Sequence, residues 1–359
     1  MKENGYGTWE NNNAWETQGL RQTEEEHERQ ELKAARSHFS KLGGMFILGT
    51  IVIVAVQTLV SYLAFFLRPE WLMDGDISMI LSMAPMYLIG MPVLVLLVRT
   101  VPADKVERHP IRAGKFIVAA IMCMGALYLG NIIGVIFTTI IGMLKGGIVQ
   151  NHLANITQSC SLWTILIATV VCAPIVEEYV FRKLIVDRTV RYGQGTAVVL
   201  SGLMFALFHG NLNQFIYAFA LGLILAFLYV KTGNLKITIA IHMVVNFMGG
   251  VVSTAVIRMF DLDEYLVLAQ DMDISSMVAF VNENMAGMLA YGALMIFVLA
   301  NLIAGLVLFI VCLAKRRFSF AAGQVAIPRG KRFRTVILNL GMLLYIIFWI
   351  ANIIYQLFV

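Results

Sequence analysis

The chain has 359 residues, of which 59% are hydrophobic and 14% are charged, with a net charge of +5. A soluble globular domain has about a quarter charged residues, so this composition excludes an ordinary soluble protein and predicts a polytopic membrane protein. The positive charge does not indicate nucleic-acid binding, because in a membrane protein the position of the basic residues matters more than their sum. The four cysteines include no CxxC pair and predict neither a disulfide framework nor a thiolate metal site.

Residues 1–42 are polar, and we expect no cleavable signal peptide there. From about Thr23 to Lys41 the segment is charged and predicted to be helical, with Glu25 and Arg29 one turn apart. We interpret it as a solvated tail, and a docking or regulatory role is the alternative.

Apolar runs long enough to cross a bilayer as helices follow the tail. A transmembrane helix needs about 20 predominantly apolar residues. The sequence therefore predicts an all-α, polytopic transmembrane helix bundle with 8–9 spanning helices. The candidate runs lie at roughly 44–67, 78–98, 115–144, 161–184, 196–210 (which is short), 213–230, 237–257, 287–314 and 336–358.

The connections between these runs alternate in charge. The segments before the first run and around 99–115 are basic, the 261–283 loop is acidic, and the 315–334 segment is again basic. Because basic loops stay in the cytoplasm, this alternation predicts a cytoplasmic N-terminus.

Ionisable residues away from the span ends occur only in the fourth, fifth and seventh runs. They are Glu177, Glu178, Arg182, His209 and His242. A charge at the membrane centre costs about 2.5–3.5 kcal/mol or more, so we expect these residues to face the bundle interior and meet. Glu178 and Arg182 have the i,i+4 order that favours an ion pair. Glu177 is then the less neutralised acid and the candidate general base.

Two further pairs share a helical face with chemical consequences. His242 and Asn246 lie one turn apart and could direct hydrogen-bond donors to a single point, as an oxyanion site requires. Phe205 and His209 are also one turn apart, and this imidazole could share a water molecule with Glu177.

The predicted span boundaries conflict with that arrangement. They place Glu177 toward the cytoplasmic end of its helix, but His209 about 20 Å along the next helix. We therefore expect either that the segment 183–195 dips into the membrane or that the fifth helix begins deeper than its apolar run.

The polar cluster is also compatible with a structural or a transport role. A Glu–Arg pair or a single histidine can simply lock helices together, and intramembrane acids and histidines also form proton relays in transporters. Three further classes of membrane protease fit poorly, since the chain lacks an HExxH zinc motif, a Gly-x-Ser-Gly serine motif and a Gly-x-Gly-Asp aspartyl motif.

Taken together, three motifs resemble those of the CAAX prenyl protease and bacteriocin-processing (CPBP, or Abi) family of intramembrane proteases, and the chain is similar to type II CAAX prenyl endopeptidases. The family pattern is EExxxR, FxxxH and HxxxN on successive membrane helices. Here the motifs are complete and in order at 177–182, 205–209 and 242–246, within about residues 160–250.

The resemblance implies an intramembrane endopeptidase and a role for each motif residue. Glu177 would activate water with the help of His209, and His242 with Asn246 would stabilise the oxyanion. Glu178, Arg182 and Phe205 would support them. Some members are classed as metalloproteases, so zinc held by Glu177, His209 and His242 is the alternative to the metal-free mechanism that we favour.

The resemblance also implies the substrate class, and the apolar runs and loops give the expected location and organisation of the chain. The partners would be the lipid bilayer and a peptide or lipid-modified protein, with no nucleic acid, and we expect a bacterial plasma membrane. A non-catalytic scaffold or bacteriocin self-immunity protein is the alternative function. We divide the chain into a cytoplasmic tail (1–42), N-terminal transmembrane helices 1–3 (43–160), a protease-like core (161–257), and an extracytoplasmic loop with the C-terminal helices (258–359).

Overall fold

The computed structural model describes residues 7–150, 152–271 and 273–358, which fold into helices without any strand in those ranges. Eight helices there are long and apolar enough to cross a membrane. This confirms the predicted polytopic helical bundle, and the chain is an integral membrane protein. We number the helices α1 Gly7–Leu67, α2 Gly75–Arg99, α3 Ala113–Lys145, α4 His152–Ser159, α5 Leu162–Tyr192, α6 Gln194–Phe208, α7 Leu212–Thr232, α8 Leu235–Ile257, α9 Leu262–Asp271, α10 Ile274–Glu283, α11 Met285–Ala314, α12 Arg329–Val336 and α13 Leu340–Phe358.

The first helix joins the polar tail to the first span without a break. α1 has 61 residues and includes the whole segment that was predicted to be helical. Its last polar turns pack on the bundle, because Phe39 and Leu42 are fully buried. Farther toward the N-terminus, Lys331 donates to Glu28 at 2.7 Å. Residue 42 therefore lies inside a continuous helix, and the division of the chain at this residue stays a prediction.

Glycines let α3 and α7 approach closely. A Cβ on Gly130 would clash with the backbone of Tyr217, and one on Gly134 would clash with the carbonyl oxygen of Asn213. One turn further, the Thr138 hydroxyl donates to the Asn213 side chain at 3.0 Å. Small residues four apart permit such close contact between membrane helices, and residues 130 and 134 provide it here.

Helices α5 and α6 form an antiparallel hairpin whose turn is Gly193, at φ 107°. Ser201 on α6 donates its hydroxyl to the Phe181 carbonyl on α5 at 2.7 Å. Glu177 and His209 lie equally far, sixteen residues, on either side of the turn. The hairpin therefore brings both residues to the same level, which resolves the conflict in the predicted boundaries.

The predicted end of the fourth span at residue 184 is wrong, because α5 continues to Tyr192. The extra turns carry charged residues, which end the apolar run in the sequence. In the fold these residues have ion-pair or hydrogen-bond partners. Lys183 pairs with Asp187 at 2.6 Å, and Arg188 Nε donates to the Val98 carbonyl at 2.8 Å. The segment 183–192 is thus helix, and α6 follows directly after the turn.

Several spans contain wide π-helical turns. In α5 they cover Leu166–Cys172 and Glu178–Leu184, and in α8 one covers Phe247–Val252. The first of them ends two residues before Pro174, which has no N–H to donate to a regular helix. Such turns are often found at functional sites, because they redirect the side chains around them. In α5 they lie on both sides of Glu177, the first residue of the EExxxR motif.

The α3–α7 contact gives a stability prediction. We expect Gly130→Leu to destabilise the protein by about 1–3 kcal/mol, because the new side chain must displace the Tyr217 backbone. Gly292→Leu on α11 is the matched control, since a Cβ added there meets no atom within 4 Å. Thermal unfolding in detergent compares the two, and equal melting temperatures would contradict the contact.

Candidate active site

The polar motif residues converge where α5, α6 and α8 meet. α5 carries the two glutamates and the arginine, the C-terminal end of α6 places His209, and α8 carries His242 and Asn246. The hydrophobic core around them includes Val180, Phe181 and Phe205, which are buried. The site therefore lies inside the bundle and not on its lipid-facing surface.

A buried ion pair forms one side of the site. Arg182 Nε lies 3.1 Å from Glu178 Oε2, and both side chains are 0% exposed. The Arg182 guanidinium also lies over the Phe205 ring, 4.4 Å from its centroid. A guanidinium is attracted to the face of an aromatic ring, so Phe205 of the FxxxH motif stabilises the arginine of the EExxxR motif.

His242 lies between the two glutamates. Its Nδ1 is 2.9 Å from Glu178 Oε1, and its Nε2 is 3.7 Å from Glu177 Oε2. Since a carboxylate can only accept, we assign a hydrogen to Nδ1. The Thr238 hydroxyl, one turn earlier on α8, lies beside the same Glu178 carboxylate. Glu178 thus orients His242 in the way that a buried acid orients a catalytic imidazole.

Glu177 is the accessible acid of the cluster. Its side chain is 16% exposed, whereas Glu178 is 0% and His242 is 3% exposed. Only Glu177 in this group therefore offers a carboxylate to a molecule that enters the site.

His209 faces the same region without touching Glu177. Its Nδ1 donates to the Phe205 carbonyl at 2.9 Å, which leaves Nε2 as an acceptor in the neutral ring. No hydrogen bond or ion pair joins His209 to Glu177 in the described part of the chain, although the two interact electrostatically. The histidine that pairs with Glu177 in the structure is His242.

Asn246 links α8 to α5. Its Nδ2 donates to the Thr169 carbonyl at 2.8 Å. This bond fixes the amide one helical turn beyond His242 and leaves it a second N–H. That His242 and Asn246 direct donors to a single point stays a prediction.

The structure adds neighbours that the motifs do not include. Tyr87 on α2 and Tyr217 on α7 both lie close enough to Glu177 to interact with its charge. Nothing in the sequence distinguishes these tyrosines from others in apolar runs. They become visible only when the packing of α2 and α7 against α5 is known.

The residues fit a metal poorly as they stand. Glu177, His209 and His242 are the donor types of a catalytic zinc site. However, no group of three or more His, Cys, Asp or Glu side chains is close enough to hold a metal ion among the residues that the structure describes. We therefore derive no step through zinc.

Comparisons with known proteins match the segment of the chain that carries these residues. Residues 159–248 match the family model "Type II CAAX prenyl endopeptidase Rce1-like". The chain is also 35% identical over 83 residues to the membrane-embedded CAAX protease MroQ of Staphylococcus aureus (strain USA300), a match over 21% of this chain and 34% of the relative. The chain thus matches about a third of the relative's length, and no solved structure matches it. The bacterial relative agrees with the expected bacterial membrane.

The buried ion pair gives a prediction for stability. We expect Arg182→Met to cost about 3–5 kcal/mol, because it leaves the Glu178 charge buried without its partner. Adding Glu178→Gln should recover part of this loss. The double variant should therefore lose less free energy of unfolding than the two single variants lose together. Unfolding in mixed micelles measures both changes.

The matched control for that cycle is Arg68→Met. Arg68 pairs with Glu70 at 3.3 Å, but the two side chains are 65% and 60% exposed. An exposed pair contributes less than about 1 kcal/mol. Strictly additive effects of the Arg182 and Glu178 changes would show that the two side chains are not coupled.

Proposed function

We propose that the chain is an intramembrane endopeptidase that hydrolyses a peptide bond in a membrane-associated or lipid-modified protein or peptide, since residues 159–248 match the model of the type II CAAX prenyl endopeptidases. The observation that carries the proposal is the accessible Glu177 carboxylate beside His242, inside an otherwise closed ionic cluster. A purely structural ion pair needs Glu178 and Arg182 alone. The accessible second acid supports a chemical role.

Glu177 is the proposed general base. The accessible Glu177 carboxylate is placed to hold a water molecule by a hydrogen bond and to accept a proton from it. The water oxygen then attacks the carbonyl carbon of the peptide as its proton passes to the Glu177 carboxylate. The same proton goes on to the amine nitrogen that leaves when the C–N bond breaks, so Glu177 returns to its starting form.

His242 is the proposed donor to the oxyanion. This role requires the imidazolium form of His242, whose Nδ1–H is bound by Glu178. The Nε2–H then points into the region of Glu177, where the negative charge of the tetrahedral intermediate develops. A donor held in place before the reaction stabilises this charge without reorganisation.

Asn246 and His209 complete the proposed site. The Thr169 carbonyl holds one Asn246 N–H, and the second N–H is the proposed partner of the oxyanion. His209 is held by the Phe205 carbonyl through Nδ1, so its Nε2 can accept a hydrogen bond from the attacking water. These roles require the peptide to lie between α6 and α8.

Glu177→Gln tests the proposal directly. We expect the variant to lose about 10²–10⁴-fold of the cleavage rate, the usual contribution of a general base, while remaining folded. The measurement uses detergent-purified protein and a set of quenched fluorescent peptides, with and without a lipid modification. Glu70→Gln, in the exposed turn that follows α1, is the matched control.

Adding a zinc chelator to the same assay distinguishes the metal-free mechanism from a zinc-dependent one. We expect a zinc chelator to leave the wild-type rate unchanged, because Glu177 and the donors account for both proton transfer and charge stabilisation. Loss of activity that added zinc restores would favour a site formed by Glu177, His209 and His242. Full activity of Glu177→Gln would contradict the role of Glu177 as general base. Cleavage of no peptide by either protein would favour the scaffold or self-immunity role.

Asn246→Leu tests the oxyanion donor. We expect kcat to fall by about 10²–10³-fold with little change in KM, because the amide acts on the developing charge and not on the bound peptide. Asn301→Leu is the control, since Asn301 also donates to a helix carbonyl, at 2.9 Å, but lies on α11 outside the site. A change confined to KM would instead place Asn246 in peptide binding.

A further inference from the structure

A basic groove lies where α1 enters the first span and α13 begins. Its cavity volume is about 710 Å³, and it opens to the outside of the bundle. Three basic side chains line it, and none of the described residues in its lining is a carboxylate. We define the basic groove by Lys33, Arg36, Ser37, Ser40 and Lys41 on α1 and Leu340 on α13.

The positive charges of the basic groove are not neutralised within the fold. Arg36 Nη2 donates to the Leu338 carbonyl at 3.0 Å, and Lys41 Nζ donates to the Thr100 carbonyl at 2.8 Å. Both acceptors are uncharged. Lys33 makes no hydrogen bond or ion pair with any residue in the described ranges. The groove therefore presents three cations without an anion.

The nearest acidic residues of α1 lie outside the basic groove. Glu24, Glu28 and Glu31 line a separate cavity toward the N-terminus of the helix. Glu28 is already paired with Lys331 at 2.7 Å. An anion that enters the basic groove would therefore meet cations and hydroxyl groups first.

The basic groove continues into an apolar surface. Met45 lines its lower part, and Leu340 is 71% exposed there. One turn further into the span, Leu48 and Leu344 are also exposed. Since Lys41 is the last charged residue before the apolar part of α1, the cations lie at the membrane boundary with lipid-facing side chains directly below them.

The floor of the basic groove is rigid. A Cβ on Gly341 or on Gly43 would clash with the backbone of the opposite helix, so α1 and α13 are in direct backbone contact there. The Gly341 N–H also donates to Ser40 Oγ at 3.1 Å. The cations on α1 and the apolar residues that begin α13 therefore keep a fixed relative position.

We propose that the basic groove binds the phosphate ester of an anionic phospholipid from the surrounding leaflet. Lys33, Arg36 and Lys41 supply charge-assisted hydrogen bonds to the phosphate oxygens, and the acyl chains lie over Met45 and Leu340. Basic pockets between spans at the membrane boundary suit such headgroups, because they join a cationic site to an apolar surface. The groove shares no residue with the site around Glu177 and does not depend on the proposed protease activity.

The test measures binding by native mass spectrometry of the full chain in detergent. The probes are a short-chain phosphatidylglycerol, a phosphatidylcholine of the same chain length, and inorganic phosphate. We expect the wild type to bind phosphatidylglycerol most tightly. The triple change Lys33→Gln, Arg36→Gln and Lys41→Gln should raise its Kd by about a hundredfold, and Lys33→Gln alone by about fivefold.

The matched control removes the same charge elsewhere, through Lys315→Gln, Arg317→Gln and Arg334→Gln, which alter exposed residues of another basic segment. The control should keep the wild-type Kd. Lys33→Gln guards against misfolding, because the Lys33 side chain is exposed. An equal loss in the control, an unchanged Kd in the Lys33 variant, or equal binding of inorganic phosphate would overturn the proposal.

Discussion

The ion pair between Glu178 and Arg182 is the constraint around which the rest of the site is arranged. Two fully buried charges are tolerated only when every charge near them is balanced and hydrogen-bonded. The structure meets this requirement in part, with His242 on the second oxygen of Glu178 and the Phe205 ring beneath the guanidinium. The guanidinium nitrogens and Glu178 Oε2 are held by the ion pair and make no hydrogen bond among the described residues. Because His242 and Phe205 come from α8 and α6, a single ion pair on α5 fixes the relative position of three helices.

The far end of α5 is fixed in a comparable way. Asp187 accepts from the Tyr229 hydroxyl on α7 at 3.0 Å, while His38 on α1 donates to the Arg188 carbonyl at 2.7 Å. Each bond connects α5 to a different span. A helix held at two levels in this way has little freedom to rotate, and rotation of α5 would carry Glu177 away from His242. The polar residues outside the motifs thus preserve the geometry on which the proposed chemistry depends.

Local patterns in the sequence were sufficient for the spans and for the Glu178–Arg182 pair, since hydropathy and i,i+4 spacing act within one helix. These patterns failed where a charged residue finds its hydrogen-bond partner on another helix. The span was predicted to end too early, at charged residues such as Arg188. The sequence does not show that Arg188 binds the Val98 carbonyl on another helix. The proximity of Tyr87 and Tyr217 to Glu177 depends on packing between distant segments, and no local pattern reports it.

The symmetric position of Glu177 and His209 about the Gly193 turn fixes a distance as well as a pairing. At 1.5 Å per residue, sixteen residues of helix place the site about 24 Å from that turn. An extended peptide advances at most about 3.5 Å per residue. A substrate strand that enters alongside the α5–α6 hairpin from the turn must therefore thread about seven residues past the bundle surface before its scissile bond reaches the carboxylate. For the proposed protease, the length of the hairpin would set the minimum length of tail in a substrate that enters from this side.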